Sequence, residues 1–164
     1  MSGRVTRGLI PGSFDPPTIG HYDLALRAAR IFDEVYVVAF INSSKRGRFS
    51  PEERLMMLKA AFAGNERIKV GLCEGLLADY AEENRITALV KGARGSVDFD
   101  YELQLSLINR SLSPELDTII LPTRAEYMQV SSTMVSELIK YHKPYGKYLP
   151  PNVEKLVAEY TNHS

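Results

Sequence analysis

Short apolar runs alternate along the chain with longer amphipathic stretches, and this alternation predicts strands and helices in turn. The predicted strands are residues 5–10, 34–41, 68–72, 88–90 and 118–121. The predicted helices are residues 22–32, 50–62, 76–84, 99–112, a segment from 131 or 132 to 141, and a C-terminal segment at about 150–160.

Two of these helices carry local signals. Ser50, Pro51 and Glu53 form the pattern of a capping box, in which the serine caps the helix and the glutamate reaches back to it. In the first helix, Asp23 and Arg27 are spaced to pair one turn apart. The apolar positions predicted to face the core are Leu24, Ala28 and Ile31 in the first helix and Leu55, Leu58 and Phe62 in the second.

Strands that alternate with helices favour parallel βαβ units. The predicted fold class is therefore α/β, a single domain spanning residues 1–164 with a doubly wound, parallel, five-stranded sheet. Such sheets bind ligands where the strands end, so functional residues are expected in the loops that follow the strands. These loops are residues 11–21, 42–49, 74–75, 91–97 and 122–130.

Composition and the length of the apolar runs argue against several classes of function. The 164 residues include 20 Lys and Arg against 20 Asp and Glu, which argues against a dedicated nucleic-acid binder. The longest apolar run, residues 35–41, is far short of the roughly 20 residues that span a bilayer. The first seven residues lack the apolar stretch of a signal peptide. No membrane partner and a cytosolic location are therefore predicted.

Cysteine and histidine do not suggest a metal centre. The single cysteine, Cys73, has no disulfide partner in the chain and is predicted to be a buried small hydrophobe. His142 is interpreted as a cation at a helix C-terminus and His163 as part of the tail. No ligand spacing typical of structural zinc is present.

The first loop carries the strongest chemical signal. Gly12 and Ser13 follow the first strand, and Gly20 with His21 stand where the first helix begins. The loop fits neither the P-loop nor the dinucleotide-binding fingerprint, but glycine amides and a helix N-terminus suit phosphates. The competing interpretation is a turn rich in Pro and Gly in which His21 only caps the helix.

Four ordered motifs in this chain resemble the H/T-x-G-H nucleotidyltransferases, which have a Rossmann-like fold. The form with threonine at the first motif position is similar to bacterial phosphopantetheine adenylyltransferases, and the resemblance extends over nearly the whole chain. Lys45 follows the second strand, as in that family. The motifs are Pro11-Gly12-Ser13-Phe14-Asp15-Pro16 with Thr18-x-Gly20-His21, Lys91-Gly92-Ala93-Arg94, Asp98-Phe99-x-Tyr101-Glu102, and Val130-Ser131-Ser132-Thr133.

The resemblance implies reversible transfer of the adenylyl group from ATP to 4'-phosphopantetheine, giving dephospho-coenzyme A and pyrophosphate in coenzyme A biosynthesis. The acceptor phosphate attacks directly, so no covalent protein nucleophile is needed. The resemblance also implies Mg²⁺ that arrives with ATP, no metal held by the protein itself, and a homohexamer.

The resemblance assigns roles to individual residues. His21 stabilises the transition state, Lys45 contacts the acceptor phosphate, and Arg94 binds the nucleotide phosphates; these three are the predicted catalytic residues. Ser13, where the family more often has threonine, bridges both substrates, and Leu77 packs on the pantetheine arm, although a core position is the commoner role for a lone leucine.

A further set of residues is expected to hold ATP. Gly12, Ser13 and Phe14 present backbone to it, and Glu102 matches the nucleotide-binding acid of the family. The remaining predicted ATP contacts are Gly92, Ala93, Tyr127, Met128, Gln129, Val130, Ser131, Ser132 and Thr133.

One residue departs from the family pattern. Lys91 stands where the family usually has arginine, and it is predicted to bind the substrate phosphate as a point charge without the two-pronged guanidinium. Lower affinity for the acceptor is the expected consequence.

Two other functions fit parts of the pattern. The same chemistry on another acceptor, such as nicotinate mononucleotide or glycerol phosphate, is disfavoured by Thr18 and Lys45. A nucleotide-sensing module without catalysis is compatible with the fold, and the Gly20-His21 and Lys45 set argues against it. A class I aminoacyl-tRNA synthetase is excluded by length and by the missing second signature.

Overall fold

A computed structural model describes residues 3–162, and within that range the chain forms one sheet of five parallel strands. The strands are β1 (Arg7–Gly12), β2 (Glu34–Phe40), β3 (Ile68–Cys73), β4 (Ala88–Ala93) and β5 (Asp117–Pro122), in the spatial order β3-β2-β1-β4-β5. This confirms the predicted α/β class. The first strand lies two residues later than predicted, and His163 lies outside the described residues.

Helices connect the strands and follow the sheet. They are α1 (Ile19–Ala28), α2 (Pro51–Ala61), α3 (Leu77–Glu83), α4 (Ser96–Leu112), α5 (Ser132–Lys140) and α6 (Glu154–Asn162), with short 3-10 turns at Ala125–Tyr127 and Gly146–Tyr148. No helix among residues 3–162 is long and apolar enough to cross a membrane.

The first helix corrects the sequence prediction most. It begins at Ile19 and ends at Ala28, whereas residues 22–32 were expected. Thr18 caps it: the threonine hydroxyl accepts from the His21 N–H, and the His21 ring accepts from the Thr18 N–H. Histidine thus takes the place that glutamate or glutamine has in an ordinary capping box. Ile31 follows the helix and is exposed, so its predicted core position is wrong.

The capping box at Ser50 is confirmed. The Ser50 hydroxyl accepts from the Glu53 N–H at 3.2 Å, and the Glu53 carboxylate accepts from the Ser50 N–H at 2.7 Å. The predicted apolar stripe of α2 is partly wrong, because Leu55 is only half-buried. The fully buried face of the helix consists of Arg54, Met57, Leu58 and Ala61.

Alternate side chains of the strands enter two separate apolar layers. In β2, Val35, Val37 and Ala39 pack with α1, α2, α5 and α6, while Val38 faces the other side with Ala81 of α3. This period-two division is the pattern of a parallel sheet covered on both faces. Cys73 is only half-buried at the end of β3, so its predicted full burial is wrong.

Helix α4 is an exception to this packing. It begins at Ser96, three residues earlier than expected, and has no buried residue along its 17 positions. Large apolar side chains on it are exposed, including Val97, Leu107 and Leu112. The part of the sheet that α4 connects, β4 and β5, is therefore only loosely covered.

The sheet opens between the central strand β1 and its neighbour β4. β1 pairs with β2 over six positions, as far as Gly12 opposite Ala39, but it pairs with β4 only at Gly8 and Leu9. Beyond Leu9 the two strands diverge. The connections on either side run in opposite directions from β1, so this gap is the topological switch point where open α/β sheets bind ligands.

Candidate active site

A crevice of about 390 Å³ lies at this switch point. Its floor is formed by the carboxyl ends of β1, β4 and β5, and its walls by the N-terminal parts of α1, α4 and α5. The volume is in the range typical of small-molecule sites. The crevice brings together the predicted residues Gly92, Glu102, Tyr127, Val130, Ser131 and Ser132, and also His21, Lys91 and Arg94.

Two helix N-termini meet at the crevice. Gly20 and His21 lie in the first turn of α1, and Ser132 begins α5 after the capping residue Ser131. The Ser132 hydroxyl also donates to the Pro16 carbonyl at 2.7 Å, which ties α5 to the loop before α1. Helix N-termini present free N–H groups and partial positive charge, so their convergence suits a polyanion.

The first turns of these two helices differ from the others in charge. Neither α1 nor α5 has an acidic residue in its first turn. The other α-helices do, with Glu52 and Glu53 in α2, Asp79 in α3, Asp98 in α4 and Glu154 in α6. An acid in the first turn satisfies the helix dipole from within the chain, so α1 and α5 leave that interaction to a ligand.

The hydrogen bonds of His21 fix its tautomer. Its Nδ1 accepts from the Thr18 backbone N–H at 2.9 Å and lies 3.1 Å from the Thr18 hydroxyl. Thr18 is almost completely buried, so this arrangement is held by the core. A ring nitrogen that accepts cannot carry the proton, so the neutral ring is protonated at Nε2. The Nε2–H is then the hydrogen-bond donor that His21 offers to a ligand in the crevice.

Burial keeps this ring neutral. Desolvation lowers the pKa of His21 from its ordinary 6.5 to about 4. The ring also meets the edge of Phe14, with the ring centres 4.9 Å apart. At neutral pH His21 is therefore an uncharged donor and not an imidazolium cation.

The cations of the crevice are paired with acids. Lys91 Nζ lies 3.3 Å from a Glu102 carboxylate oxygen, and Arg94 Nε donates to Asp98 at 3.0 Å. Backbone also contributes, since the Arg94 N–H donates to the same Asp98 oxygen at 3.1 Å. The Arg94 amide and guanidinium together hold the pKa of Asp98 below its ordinary value.

A third acid was missed by sequence reasoning as a site residue. Asp23 in α1 lies 3.5 Å from Arg27 and 3.1 Å from Arg124, which follows β5. The Asp23–Arg27 pair was predicted from its helical spacing, and Arg27 also donates to the Pro122 carbonyl at 2.8 Å. Arg124 carried no signal, because nothing in the sequence indicates that it reaches α1.

Glu102 retains unused hydrogen-bonding capacity. Its Oε2 is buried and, within the described part of the chain, accepts no well-directed hydrogen bond despite the nearby Lys91 ammonium. A buried carboxylate oxygen without a donor is costly. A ligand hydroxyl could satisfy it once the Lys91 ammonium moves away.

In the first loop, Gly12, Ser13 and Phe14 lie outside the crevice lining. Ser13 is exposed, and Phe14 points into the core with 1% of its surface exposed and a φ of 47°. A Cβ on Gly12 would lie 3.1 Å from the Phe14 ring, so the glycine makes room for that ring. Gly12 was expected to allow a ligand close to the backbone, and the contact that requires glycine is instead with Phe14.

The structure places the other predicted residues outside the crevice lining. Lys45 lies in the exposed segment 42–48, and its ammonium has no hydrogen-bond or ion-pair partner among residues 3–162. Leu77 packs against the apolar layer under α3, as expected of a core leucine. Ala93 ends β4 half-buried, while Met128, Gln129 and Thr133 are exposed.

Comparisons with known proteins agree with this geometry. The cytidylyltransferase-like family matches residues 9–138, so the fold and site define a nucleotidyltransferase of that class. A phosphopantetheine adenylyltransferase of Psychromonas ingrahamii is 41% identical over 157 residues, which cover 95% of this chain and 98% of the relative. One of Leptospira biflexa is 41% identical, with 92% and 95% covered. The chain belongs to the phosphopantetheine adenylyltransferase family.

A solved structure supports the fold. A protein of Vibrio parahaemolyticus that carries the assignment nicotinate-nucleotide adenylyltransferase superposes with a TM-score of 0.73, covering 98% of both chains. The two sequences share 15% identity, so the likeness is one of fold alone.

Proposed function

We propose that the chain transfers the adenylyl group of ATP to the phosphate of 4'-phosphopantetheine. An oxygen of the acceptor phosphate forms a bond to the α-phosphorus, and the bond from that phosphorus to the bridging oxygen breaks. The products are dephospho-coenzyme A and pyrophosphate, and the reaction is reversible. The 41% identity to relatives of that name over most of the chain supports this acceptor over the other two that the sequence left open.

One observation carries the proposal: a neutral histidine donor stands in the first turn of α1, in a crevice that also contains the start of α5 and paired cations. Transfer between two bound phosphates asks the protein to align them and to stabilise charge on the five-coordinate phosphorus. His21 Nε2–H donates to the α-phosphate oxygens as that charge develops. Because its pKa is far below neutrality, His21 does not need to lose or gain a proton in the step.

The paired cations prepare the crevice for ATP. Lys91 and Arg94 are each held by an acid on α4 in the absence of a ligand. Phosphate oxygens compete for these side chains when the nucleotide enters, because a charged donor gains more from a polyanion than from one carboxylate. Glu102 then accepts from a hydroxyl of the nucleotide through its unsatisfied oxygen.

The acceptor is proposed to enter from the β2 side, where Lys45 extends without an internal partner. Ser13 lies between the two regions, at the end of β1, and bridges the substrates. Lys91, which replaces the usual arginine, binds phosphate as a single charge.

Mg²⁺ is proposed to accompany ATP. Among residues 3–162 no group of three or more His, Cys, Asp or Glu side chains could hold a metal ion. In nucleotide sites Mg²⁺ is commonly held by the phosphates of the nucleotide. The ion neutralises phosphate charge when bound.

Two finer properties are also proposals. The exposed apolar side chains of α4 support self-association, and the family resemblance suggests a homohexamer. A cytosolic location is proposed because the substrates and products of this step are expected there.

A two-substrate assay tests the proposed function. Pyrophosphate should appear when the protein, Mg²⁺, ATP and 4'-phosphopantetheine are present together, and only at background when any one is omitted. Nicotinate mononucleotide and glycerol phosphate serve as alternative acceptors. The true acceptor should exceed them by orders of magnitude in kcat/KM, because acceptors that share only the phosphate lose the contacts to the rest of the molecule and leave polar groups of the site unpaired. ATP binding with no product from any acceptor would instead favour a nucleotide-sensing module.

A further inference from the structure

A buried arginine lies beneath the loops that follow β1 and β2. Arg54, in the first turns of α2, has only 7% of its surface exposed to solvent. Its Nε donates to the Phe49 carbonyl at 2.9 Å, and one terminal nitrogen, Nη1, donates to the Ser13 carbonyl at 3.4 Å. The guanidinium therefore joins the end of the β2 loop to the beginning of the β1 loop.

An aspartate completes the connection. One Asp15 carboxylate oxygen accepts from the Arg48 N–H at 2.8 Å, and the other accepts from the Phe49 N–H at 2.9 Å. The remaining terminal nitrogen of Arg54, Nη2, lies 3.5 Å from the same carboxylate. Asp15 thus holds the backbone of the β2 loop by two charge-assisted hydrogen bonds.

The ion pair of Arg54 and Asp15 leaves no room for a side chain at position 47. A Cβ on Gly47 would overlap the guanidinium of Arg54 and would lie 2.6 Å from the Asp15 carboxylate. The backbone at Gly47 therefore passes directly against the ion pair. Lys45, proposed to bind the acceptor phosphate, stands two residues before this point of closest approach.

We infer that Arg54 and Asp15 are positioning residues for the reaction, acting together as a clamp that sets Lys45 and Ser13 at a fixed distance from each other. Neither residue lines the crevice, so the clamp acts through the loops that it joins. This inference rests on the proposed function, because it assigns the two loops to the acceptor side of the transfer.

A simpler explanation of the buried Arg54 is that it only stabilises the fold. The chain contains a matched arginine for comparison. Arg7 donates to Glu34 at 2.7 Å, and Lys69 contacts the same carboxylate, at the edge of the sheet opposite the crevice. This cluster joins three strands, as the clamp joins two loops, but it lies where the strands begin and touches neither loop.

The kinetic experiment compares Arg54→Met and Arg54→Lys with Arg7→Met and Arg7→Lys. Arg54→Met should raise the KM for 4'-phosphopantetheine or lower kcat by about 10- to 100-fold, the scale of a small displacement of a substrate-binding group. Calorimetry should show a smaller loss of ATP affinity than of acceptor affinity, because the clamp holds Ser13, which bridges both substrates, but does not contact the crevice cations. Arg54→Lys keeps the charge but loses the fork, so its defect should be smaller.

The Arg7 variants should lose thermal stability but keep both kinetic constants of the folded protein. If Arg54→Met lowers the melting temperature as Arg7→Met does and leaves KM and kcat unchanged, the clamp is only structural and the inference is wrong. A loss of ATP affinity equal to the loss of acceptor affinity would contradict it as well.

Asp15→Asn tests whether the two residues act as one unit. The double variant with Arg54→Met should be little worse than the more damaged single variant, since either change already releases the loop. Fully multiplicative defects would show that Arg54 and Asp15 act independently and would overturn the clamp.

Hydrogen exchange gives a readout that needs no substrate. The amides of Arg48 and Phe49 should be protected in the wild-type protein and should exchange faster in Asp15→Asn and Gly47→Ala. Unchanged protection would refute the clamp even if the enzyme is active. If the wild-type protein shows the predicted exchange pattern but no transferase activity, the proposed function is refuted while the contacts of the clamp are supported.

Discussion

The two sides of the sheet edge are built differently. Around the gap between β1 and β4, Lys91, Arg94 and Arg124 each meet an acid. On the β2 side, Lys45 has no partner in the described part of the chain and its loop is exposed from residue 42 to residue 48. The first region pairs its cations within the chain. The second leaves Lys45 unpaired among the described residues and is tied down by the Arg54–Asp15 clamp and by the bond from Arg48 to the Ser136 carbonyl.

This difference indicates how two polyanions are accommodated by a chain with no net charge. Pairing each crevice cation with an acid avoids the repulsion of several bare charges in one cavity. The same pairing makes nucleotide binding an exchange of partners. The isolated lysine on the other side is available directly, so the two regions should respond differently to the loss of a charge.

The largest effect is expected at His21, which belongs to the crevice. His21→Ala should lower kcat by at least about 100-fold, the scale for removing one donor to a developing oxyanion. The KM values should change much less, because the donor acts mainly in the transition state. His142→Ala, which changes an exposed histidine after α5, is the matched control. Activity of His21→Ala near that of the control would refute the assigned role.

The next effect separates the two regions by charge. Lys45→Ala should raise the KM for the acceptor by about 10- to 100-fold, as expected for a charged hydrogen bond, with ATP affinity unchanged. Lys91→Ala should weaken the binding of both substrates, since Lys91 lines the crevice and is proposed to bind phosphate. Lys59→Ala, on the exposed face of α2, serves as the control. Identical patterns for Lys45→Ala and Lys91→Ala in steady-state kinetics would remove the distinction between the regions.

A smaller effect concerns pH. Because the pKa of His21 is about 4 in the folded protein and ordinarily 6.5, the unfolded chain binds more protons between these values. His21 should therefore cost stability progressively as the pH falls from about 6.5 to about 4, and should leave stability unaffected above this window.

NMR titration of the His21 ring measures this directly. The ring should remain neutral from pH 5 to 8, so kcat should show no ionisation of His21 in that range. A ring that titrates near its ordinary value would contradict the neutral donor and would make His21 a cation under working conditions.

The smallest effect lies far from both regions. Hydrogen bonds from Lys69 and Arg7 lower the pKa of Glu34 to about 2, so its stabilisation is present above the ordinary value of 4.5 and is lost as the pH falls towards 2. Glu34→Gln should lower the melting temperature at pH 7 by about 2–4 °C, as one lost kcal/mol does in a domain of this size. Its activity should equal that of the wild type. A difference in melting temperature that persists at pH 2 would contradict the assignment to Glu34.

The sequence predicted the order of the elements well and some of their ends poorly. The capping box at Ser50 was recognised because glutamate stands where that pattern requires it. The start of α1 was missed because Gly20 and two prolines resemble a loop, while histidine replaces glutamate in the box of Thr18. His21 therefore obscures the helix start in the sequence, and the same residue lines the crevice.

The site was predictable only as far as its motifs. Gly92, Glu102, Ser131 and Ser132 lie in the crevice as expected, with His21, Lys91 and Arg94. The pairing of Lys91 with Glu102 joins a strand to a helix, and that of Arg124 with Asp23 joins the segment after β5 to α1. Such contacts depend on how the elements pack, and no local pattern in the sequence encodes them. The Arg54–Asp15 contact was not predicted for the same reason, since an arginine in the first turns of a helix usually faces solvent.

The central claim is a direct transfer between two ligands held together at the β1–β4 gap, without a covalent intermediate on the protein. ATP labelled at the α-phosphorus, mixed with the protein and Mg²⁺ and then quenched, tests it most directly. Label should reach dephospho-coenzyme A when 4'-phosphopantetheine is present, and no label should remain on the protein when it is absent. Label trapped on the protein would show a covalent intermediate, and no transfer with both substrates present would refute the proposed reaction.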